Sequence, residues 1–351
     1  MSLVDIRVEG PLGRISLTRP EALNAINLPM VQAIANALRK WVSDPQIRMI
    51  LMDGAGPRGF CAGGDIRGLY DAAKAGDPLP AEAFFRNEYV LNAAIANYPK
   101  PVIVLMDGIT MGGGIGLGSH ASHRIVTERS MLAMPEVCIG FYPDVGGTFL
   151  LGTAPGELGT HLAMTGERFD GSDAIACNLA DRMVASPDLV KIPDLLRNVG
   201  TGDAVWPALE SVMITPKESA IVAAKSWIDQ CYGMSAVEDI LAALETLGTT
   251  AALEARAKIQ KNCPTSLKVT LRALRQARNL GRLEPCLGQE FQISRKMVMT
   301  PNFMEGVRAA VVDKDRNPSW SPPRLEDVTA ESVASYFQDS ADAGLNPRTA
   351  P

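Results

Sequence analysis

Histidine, paired cysteines and long hydrophobic runs are scarce in this chain, and each scarcity excludes a class of function. Only three histidines occur in 351 residues, so a histidine-dependent triad or a histidine-rich metal site has little to draw on. The six cysteines include no Cys-x-x-Cys pair and indicate reduced core thiols rather than a disulfide or zinc framework. The charge-free stretch Gly108–Ser119 is too short and too rich in glycine to span a bilayer, which requires about 20 residues.

An excess of charge of one sign is also missing. The 34 Lys and Arg against 39 Asp and Glu give a net charge of −5. This charge does not indicate binding to nucleic acid or to an anionic membrane. The N-terminus lacks a basic segment followed by an apolar block, so no signal or transit peptide is indicated. We therefore expect a cytoplasmic protein without nucleic-acid or membrane partners. Its 46% of hydrophobic residues is enough for a sizeable core.

Hydrophobic patterning predicts an α/β core followed by helices. Strands alternate with helices in the first half, which favours an α/β fold. The candidates there are strands within 3–19, at 47–52, 101–106, 125–126 and 131–133, and helices over 28–42 and 65–97. After residue 187 the pattern is helical with no convincing strand, and the candidate helices are 187–198, 216–231, 235–247, 250–261, 265–280 and 284–299. We predict a catalytic core in residues 1–186 and a helical region with an irregular tail in residues 187–351.

Two motifs match known sites only superficially. The glycines of Gly54–Gly59 follow a strand in a GxGxxG pattern, but no helix opens within them, as a dinucleotide site requires. Asp313–Asn317 begins like a calcium loop, yet Arg324 stands where the bidentate glutamate belongs, so a solvated turn is predicted. His120 and His123 flank a glycine-rich helix, where we expect a structural role.

Candidate chemistry remains in three loops, each at the end of an apolar strand: Phe60–Asp65, Gly108–Gly116 and Met134–Gly147. A glycine run that enters a helix leaves N–H groups unsatisfied and adds the positive end of a helix dipole. Two such loops side by side can direct two N–H groups at one oxygen. A thioester carbonyl needs this arrangement when its oxygen gains negative charge.

The motifs of these loops resemble those of the crotonase (enoyl-CoA hydratase/isomerase) superfamily. The matching segments are Arg19-Pro-Glu-Ala-Leu-Asn-Ala25, Gly59-Phe-Cys-Ala-Gly-Gly-Asp65, Met111-Gly-Gly-Gly114 and Met134-Pro-Glu136. The resemblance implies a crotonase-like spiral core of ββα units and an oxyanion hole formed by Gly64 and Gly113. It also implies an acyl-CoA substrate, with coenzyme A as part of the substrate and no metal or further cofactor. The CoA portion is expected beside Ala22, Leu23 and Ala62.

Departures from the family pattern bear on the reaction. The position three residues after Gly113, where hydratases of the family carry one of two glutamates, is Gly116, which cannot deliver a proton. The second glutamate is retained as Glu136, and an extra carboxylate appears as Asp144. With the long helical C-terminus, this combination resembles the 3-hydroxyisobutyryl-CoA hydrolase branch, which implies that Glu88 also lines the site. Asn302 and the segment Cys286–Glu290 fit that branch poorly.

We therefore expect hydrolysis of a short branched β-hydroxyacyl-CoA thioester, in the context of valine breakdown. Glu136 acts either as general base for water or as a nucleophile that forms a mixed anhydride. Burial beside Phe141 and Tyr142 would raise its pKa. Asp144 would position the acyl hydroxyl or the water, or assist the leaving thiolate.

Two other functions remain open at this point. One is hydration or isomerisation of another enoyl-CoA, and the other is a non-catalytic CoA-binding scaffold. The helical block after residue 187 either forms homo-oligomer contacts or folds back over its own active site. Self-association at some level is expected.

Overall fold

Residues 3–338 and 344–345 are described in a computed structural model of the chain. Eleven strands occur among these residues and form two sheets. The strands are β1 (Val4–Glu9), β2 (Leu12–Leu17), β3 (Met49–Gly54), β4 (Gly59–Cys61), β5 (Val102–Met106), β6 (Ile109–Met111), β7 (His123–Val126), β8 (Met131–Ala133), β9 (Phe169–Asp170), β10 (Arg182–Val184) and β11 (Met213–Ile214).

The chain alternates between the two sheets. The larger sheet has the order β1-β2-β3-β5-β7-β10-β11, and the smaller has the order β4-β6-β8-β9. Three successive strand pairs, β3 with β4, β5 with β6 and β7 with β8, each send their first strand to the large sheet and their second to the small one. Strands β4, β6 and β8 are mutually parallel. This repetition produces the ββα spiral that the sequence motifs imply.

Two of these strands were expected to be loops. The glycine-rich segments after β3 and β5 contain β4 and β6, each only three residues long. Their hydrogen-bond partners are distant in sequence, since β4 pairs with β6 and β6 with β8. A strand this short is too brief for its alternation to stand out from a loop, and that part of the prediction was wrong.

Helices connect the strands and form the second half of the chain. They are α1 (Leu28–Trp41), α2 (Ile66–Lys74), α3 (Leu79–Ala96), α4 (Gly113–Gly118), α5 (Gly147–Gly152), α6 (Leu158–Thr165), α7 (Gly171–Ala176), α8 (Ile192–Leu196), α9 (Val205–Leu209), α10 (Ala220–Ala223), α11 (Lys225–Tyr232), α12 (Val237–Leu247), α13 (Thr250–Lys261), α14 (Pro264–Leu280), α15 (Leu283–Met297), α16 (Pro301–Val307) and α17 (Ala330–Tyr336). None of them, within the described residues, is both long and apolar enough to cross a membrane.

The central strands of the large sheet are buried on both faces. Along β3, Ile50 and Met52 face the main core, whereas Met49 and Leu51 face a second, smaller core. Helices α8 and α9 cover this second core. Burial on both faces explains why the strand is an uninterrupted apolar run rather than an alternating one.

The helical region folds back over the first half of the chain. Helix α14 packs on α5, α15 on α3, and α16 on α2. The expectation of no strand after residue 187 was wrong, because β11 pairs antiparallel with β10. The division at 186/187 stays a prediction. The end of the predicted irregular tail, at 339–343 and 346–351, lies outside the described residues.

Candidate active site

The three predicted loops meet at one edge of the small sheet. Because β4, β6 and β8 are parallel neighbours, the segments that follow their carboxyl ends lie side by side. These segments carry Gly64, Gly113 and Glu136 and border a cavity of about 620 Å³ that opens to solvent. The other lining residues are Ala62, Gly63, Ile66, Leu69, Phe84, Phe85, Glu88, Met111, Gly112, Pro135, Ile139, Phe141, Asp144, Val145 and Phe303.

Two backbone amides border the same small space in this cavity. Ile26 donates its N–H to Gly63 O at 2.9 Å and accepts from the Asp65 N–H at 2.7 Å, so the intervening Gly64 N–H lies on the other side of the strand. Gly113 is the first residue of α4, and an N–H at that position has no partner within the helix. A Cβ placed on Gly113 would lie 3.3 Å from the Gly64 nitrogen. The two amides are therefore close neighbours.

Three buried carboxylates line the cavity. Glu88, Glu136 and Asp144 are 2%, 7% and 6% exposed, so Glu88 does not lie on an ordinary helix surface. Among the described residues, Glu88 Oε1 and Glu136 Oε2 have no hydrogen-bond partner. A Cβ on Gly112 would lie 2.8 Å from Glu136 Oε1, and one on Gly113 would lie 2.6 Å from Glu88 Oε1. Both carboxylates thus approach the glycine turn that begins α4.

Burial raises the pKa of all three carboxyl groups. For Glu136 burial is the main cause, and the Asp144 and Glu290 carboxylates raise the pKa further, well above its ordinary value. For Glu88 burial is again the main cause, and Asp144 and Glu136 add to it. Burial raises the pKa of Asp144 to about 7, although a hydrogen bond from Tyr89 favours its charged form. The direction of the shift at Glu136 agrees with the expectation from the sequence, with the Asp144 and Glu290 carboxylates adding to the effect of burial.

Asp144 is anchored through its side chain. Tyr89, on α3, donates its hydroxyl to Asp144 Oδ2 at 2.6 Å. The same hydroxyl lies 2.6 Å from Ser294 Oγ on α15, which also lies 2.9 Å from the Tyr142 hydroxyl. Asp144 therefore belongs to a buried chain of hydroxyl groups that ends on the C-terminal helices.

No room exists for a second acid at the position that hydratases of the superfamily use. A Cβ on Gly116 would lie 2.7 Å from Val145 Cβ and 3.0 Å from Asn92 Nδ2. Val145 fills this space in a left-handed conformation with φ of 56°, which is strained for a β-branched residue. The space beside Gly116 is therefore occupied by Val145 and Asn92.

Aromatic side chains form the apolar wall of the cavity. Phe85 and Phe141 stack with their centroids 5.7 Å apart, and Phe141 lies 5.6 Å from Phe303. Phe303 comes from α16, so the C-terminal region completes the wall. The predicted mismatch at Asn302 does not face the cavity, because its side chain exchanges two hydrogen bonds with the Ser321 backbone, each of 2.8 Å.

The residues expected beside the CoA portion adjoin the cavity. Ala62 lines it and donates its N–H to Leu23 O at 3.0 Å, whereas Ala22 and Leu23 are not lining residues. Leu23 and Asn24 both have positive φ, of 53° and 56°. The Asn24 amide holds this turn by donating to Ala55 O and Gly59 O at 3.0 and 3.1 Å.

The motifs set aside in the sequence have structural roles. No helix opens within Gly54–Gly59, because β4 begins at Gly59. Asp313 and Asp315 both pair with Arg308, at 2.7 and 2.6 Å. His120 Nε2 donates to Val145 O at 2.8 Å, and burial lowers its pKa to about 4. His123 contacts Ser122 Oγ and Gly202 O.

Sequence reasoning missed the residues that support Asp144 from α15. Glu290 is fully buried, and its carboxylate accepts hydrogen bonds from the Gly146 and Thr148 N–H groups. A usable signal existed, since Glu290 and Ser294 fall on the buried face of α15 with Leu287 and Met297. A carboxylate on an apolar helix face requires a buried partner.

Comparison with known proteins establishes the family. The family model described as Enoyl-CoA hydratase/isomerase matches residues 12–337. The chain belongs to the enoyl-CoA hydratase/isomerase family. It is 42% identical to the Rattus norvegicus protein named "3-hydroxyisobutyryl-CoA hydrolase, mitochondrial", over 96% of this chain and 89% of that protein. The Xenopus tropicalis protein of the same name is 40% identical with the same coverage.

A solved structure of the family is also similar throughout. The carnitinyl-CoA dehydratase from Mycobacterium thermoresistibile superposes with a TM-score of 0.95 at 42% identity, over 99% of this chain and 100% of that one. These relatives of the enoyl-CoA hydratase/isomerase family are named for different reactions, so overall identity does not decide the reaction. The mitochondrial names of the two hydrolases give the cytoplasmic expectation no support.

Proposed function

We propose that this protein hydrolyses a short branched β-hydroxyacyl-CoA thioester, with 3-hydroxyisobutyryl-CoA as the expected substrate. One observation carries the proposal. The Glu136 carboxylate lies against the Gly112–Gly113 turn with one oxygen unpartnered, while Val145 fills the space that a second acid at Gly116 would need. A site with a base but without the second hydratase acid suits hydrolysis. The names of the rat and frog relatives agree with this reaction.

The thioester oxygen is proposed to bind between the Gly64 and Gly113 amides. Each is a fixed dipole that needs no reorganisation when the oxygen becomes an oxyanion, and one such donor is worth about 10²–10³ in rate. Their proximity supports this role, because a Cβ on Gly113 would lie 3.3 Å from the Gly64 nitrogen. The CoA portion then leaves past Ala62 toward Ala22 and Leu23.

Glu136 is proposed to act on the thioester carbonyl carbon, either as a general base for water or as a nucleophile. As a general base it takes a proton from water, whose oxygen adds to the carbonyl carbon while the C–S bond breaks and CoA thiolate leaves. As a nucleophile its carboxylate oxygen displaces the thiolate, and water then cleaves the resulting mixed anhydride. Its raised pKa makes the ionised form a stronger base. Both routes use the same oxyanion hole.

Asp144 and Glu88 are proposed to handle the hydroxyl group and the leaving thiolate. Because the pKa of Asp144 is about 7, part of the population carries a proton at neutral pH and can deliver it to sulfur. Glu88 has an unpartnered oxygen that can accept a hydrogen bond from the β-hydroxyl. The Phe84, Phe141 and Phe303 side chains then enclose the methyl branch. This chemistry calls for no metal and no cofactor beyond the CoA of the substrate.

The second candidate is hydration or dehydration of an acyl-CoA, which the name of the superposed dehydratase favours. That reaction needs one group to move a proton at the α-carbon and another to move the hydroxyl. Glu136 with Glu88 or Asp144 would have to replace the missing acid at Gly116. The two candidates form different products, and an assay can separate them.

The decisive experiment measures two products with the same enzyme. Release of free thiol from 3-hydroxyisobutyryl-CoA is followed beside hydration of crotonyl-CoA, and we expect thiol release to dominate. Glu136→Gln should lower thiol release at least about 100-fold and leave CoA binding, measured by calorimetry, within about twofold. Strong hydration without thiol release would contradict the proposal. Self-association stays a prediction that light scattering would test.

A further inference from the structure

A fully buried carboxylate outside the cavity holds the turn that carries Asp144. Glu290 lies on α15, and Oε2 accepts the Gly146 N–H at 2.6 Å. Oε1 accepts the Thr148 N–H at 3.0 Å and the Thr148 hydroxyl. All three partners donate, so the ionised form fits this position. Nothing in the proposed reaction uses Glu290 directly, because it is not among the residues that line the cavity.

The turn held by Glu290 is strained. Val145 and Gly146 are both left-handed, with φ of 56° and 78°, and a β-branched residue rarely adopts this conformation. Such a conformation persists only when its surroundings over-determine it. Two contacts do so here: His120 donates to Val145 O, and Glu290 accepts from Gly146. Without these two contacts, the backbone after Asp144 should relax from its left-handed conformation.

The same helix also reaches the side chain of Asp144. Ser294 lies one turn after Glu290 on α15, and its hydroxyl is 2.6 Å from that of Tyr89. Tyr89 in turn donates to Asp144 Oδ2 at 2.6 Å. Helix α15 thus supports Asp144 from two directions: Glu290 holds the backbone of the turn that follows it, and Ser294 reaches its carboxylate through Tyr89.

We propose that Glu290 and Ser294 are positioning residues that hold Asp144 in its reactive orientation. The inference rests on the proposed function, since it assigns these residues a part in thioester hydrolysis. It gives the C-terminal helical region a catalytic purpose beyond covering the core. Loss of either contact should slow the chemical step and leave the binding of CoA, proposed above to lie past Ala62, nearly unchanged.

The test compares Glu290→Gln with a matched substitution elsewhere. Glutamine keeps the size of the side chain but presents an N–H₂ group to one of the three donors. Glu157→Gln is the control, because the Glu157 side chain is only 13% exposed and ties helices together through Arg275 and Arg278, without contacting the turn after Asp144. Thiol release from 3-hydroxyisobutyryl-CoA is measured at pH 7 and at pH 8.5, on either side of the pKa of about 8 to which burial raises Glu290; at pH 7 part of the Asp144 population still carries its proton.

We expect Glu290→Gln to lower kcat at least tenfold with KM within threefold, and Glu157→Gln to keep both within twofold. Hydrogen exchange in the peptide spanning 142–150 should accelerate in Glu290→Gln alone. Ser294→Ala, which removes only a hydroxyl group, should lower kcat at least threefold. This variant tests the proposal if Glu290→Gln does not fold. A folded Glu290→Gln with kcat within twofold of wild type, or an equal loss in the control, overturns the proposal. An inactive wild-type enzyme would instead refute the proposed function.

Discussion

Adding one methyl group at Gly113 gives the sharpest test of the two-amide site. The methyl carbon of Gly113→Ala would lie 2.6 Å from Glu88 Oε1, 3.2 Å from Ile26 Cδ1 and 3.3 Å from the Gly64 nitrogen. The two side-chain contacts are with flexible ends that can move aside. The Gly64 nitrogen belongs to the backbone and stays in place. The methyl group therefore occupies the space in front of the Gly64 amide, where the thioester oxygen has to bind.

The magnitude follows from the loss of one donor. A bound oxyanion accepts from an amide nitrogen at about 2.7–3.1 Å, which a methyl carbon 3.3 Å from Gly64 prevents. Removing one such donor costs about 10²–10³ in kcat, equivalent to about 3–4 kcal/mol of transition-state stabilisation. The backbone should tolerate alanine, because Gly113 begins α4 without a positive φ.

The assay pairs kinetics with stability. Thiol release and thermal unfolding are measured for Gly113→Ala and for Gly68→Ala, a control on α2 whose added methyl group meets no atom within 4 Å. We expect a loss of at least about 100-fold in kcat for the first and less than twofold for the second. If Gly113→Ala remains folded and keeps kcat within threefold of wild type, the two amides do not form the oxyanion hole.

Three further predictions concern the carboxylates and their neighbours. On acidification, thiol release should be lost at a pH above the range in which a carboxylate with the ordinary pKa of 4.5 titrates, because burial raises the pKa of Glu136; an acidic limb centred at or below pH 4.5 would contradict this. Asp144→Asn should raise the free energy of unfolding at pH 8 by up to roughly 4 kcal/mol, and by less than about 1 kcal/mol at pH 4. Folding raises the pKa of this carboxyl from 3.8 to about 7. Its ionised form therefore destabilises the fold increasingly as pH rises between those two values. Urea titrations at pH 4 and pH 8 measure the difference in the free energy of unfolding. Gly116→Glu should destabilise the protein by about 1–3 kcal/mol through its contact with Val145 and should not create crotonyl-CoA hydration in a spectrophotometric assay.

The loops that meet in the cavity were predictable because their chemistry is local. Glycine runs after apolar strands at Gly64 and Gly113 are visible in the sequence, and so is the Pro-Glu pair at Glu136. Their meeting depends on β4, β6 and β8, which are three residues each and stabilised by pairing across gaps of tens of residues. Strand β8 was predicted at residues 131–133, whereas β4 and β6 could not be distinguished from the glycine-rich segments around them. The motifs therefore predicted the site better than the patterning predicted the sheet that builds it.

The residues that support Asp144 could not be predicted from the sequence, for a related reason. Tyr89 and Ser294 are 205 positions apart in the chain, and Glu290 and Gly146 are 144 apart. Burial and periodicity could place Glu290 on a core-facing helix surface. They could not identify the backbone amides from which its carboxylate accepts hydrogen bonds. The strained φ of Val145 is likewise a consequence of tertiary contacts and not of the residue's own preference.

The grouping of the carboxylates favours a site that deprotonates water over one that shuttles protons across a double bond. Glu88, Glu136 and Asp144 each raise the pKa of a neighbour or have their own raised by one, because all are buried in the same cavity. Burial, with repulsion adding to it at Glu88 and Glu136, favours protonated carboxyls within this group, so an acid and a base can coexist. The position at which hydratases of the family carry the second glutamate is Gly116 here, and Val145 occupies the space beside it. The carboxylates that remain, Glu88, Glu136 and Asp144, line one cavity, and this set suits the activation of water proposed for Glu136.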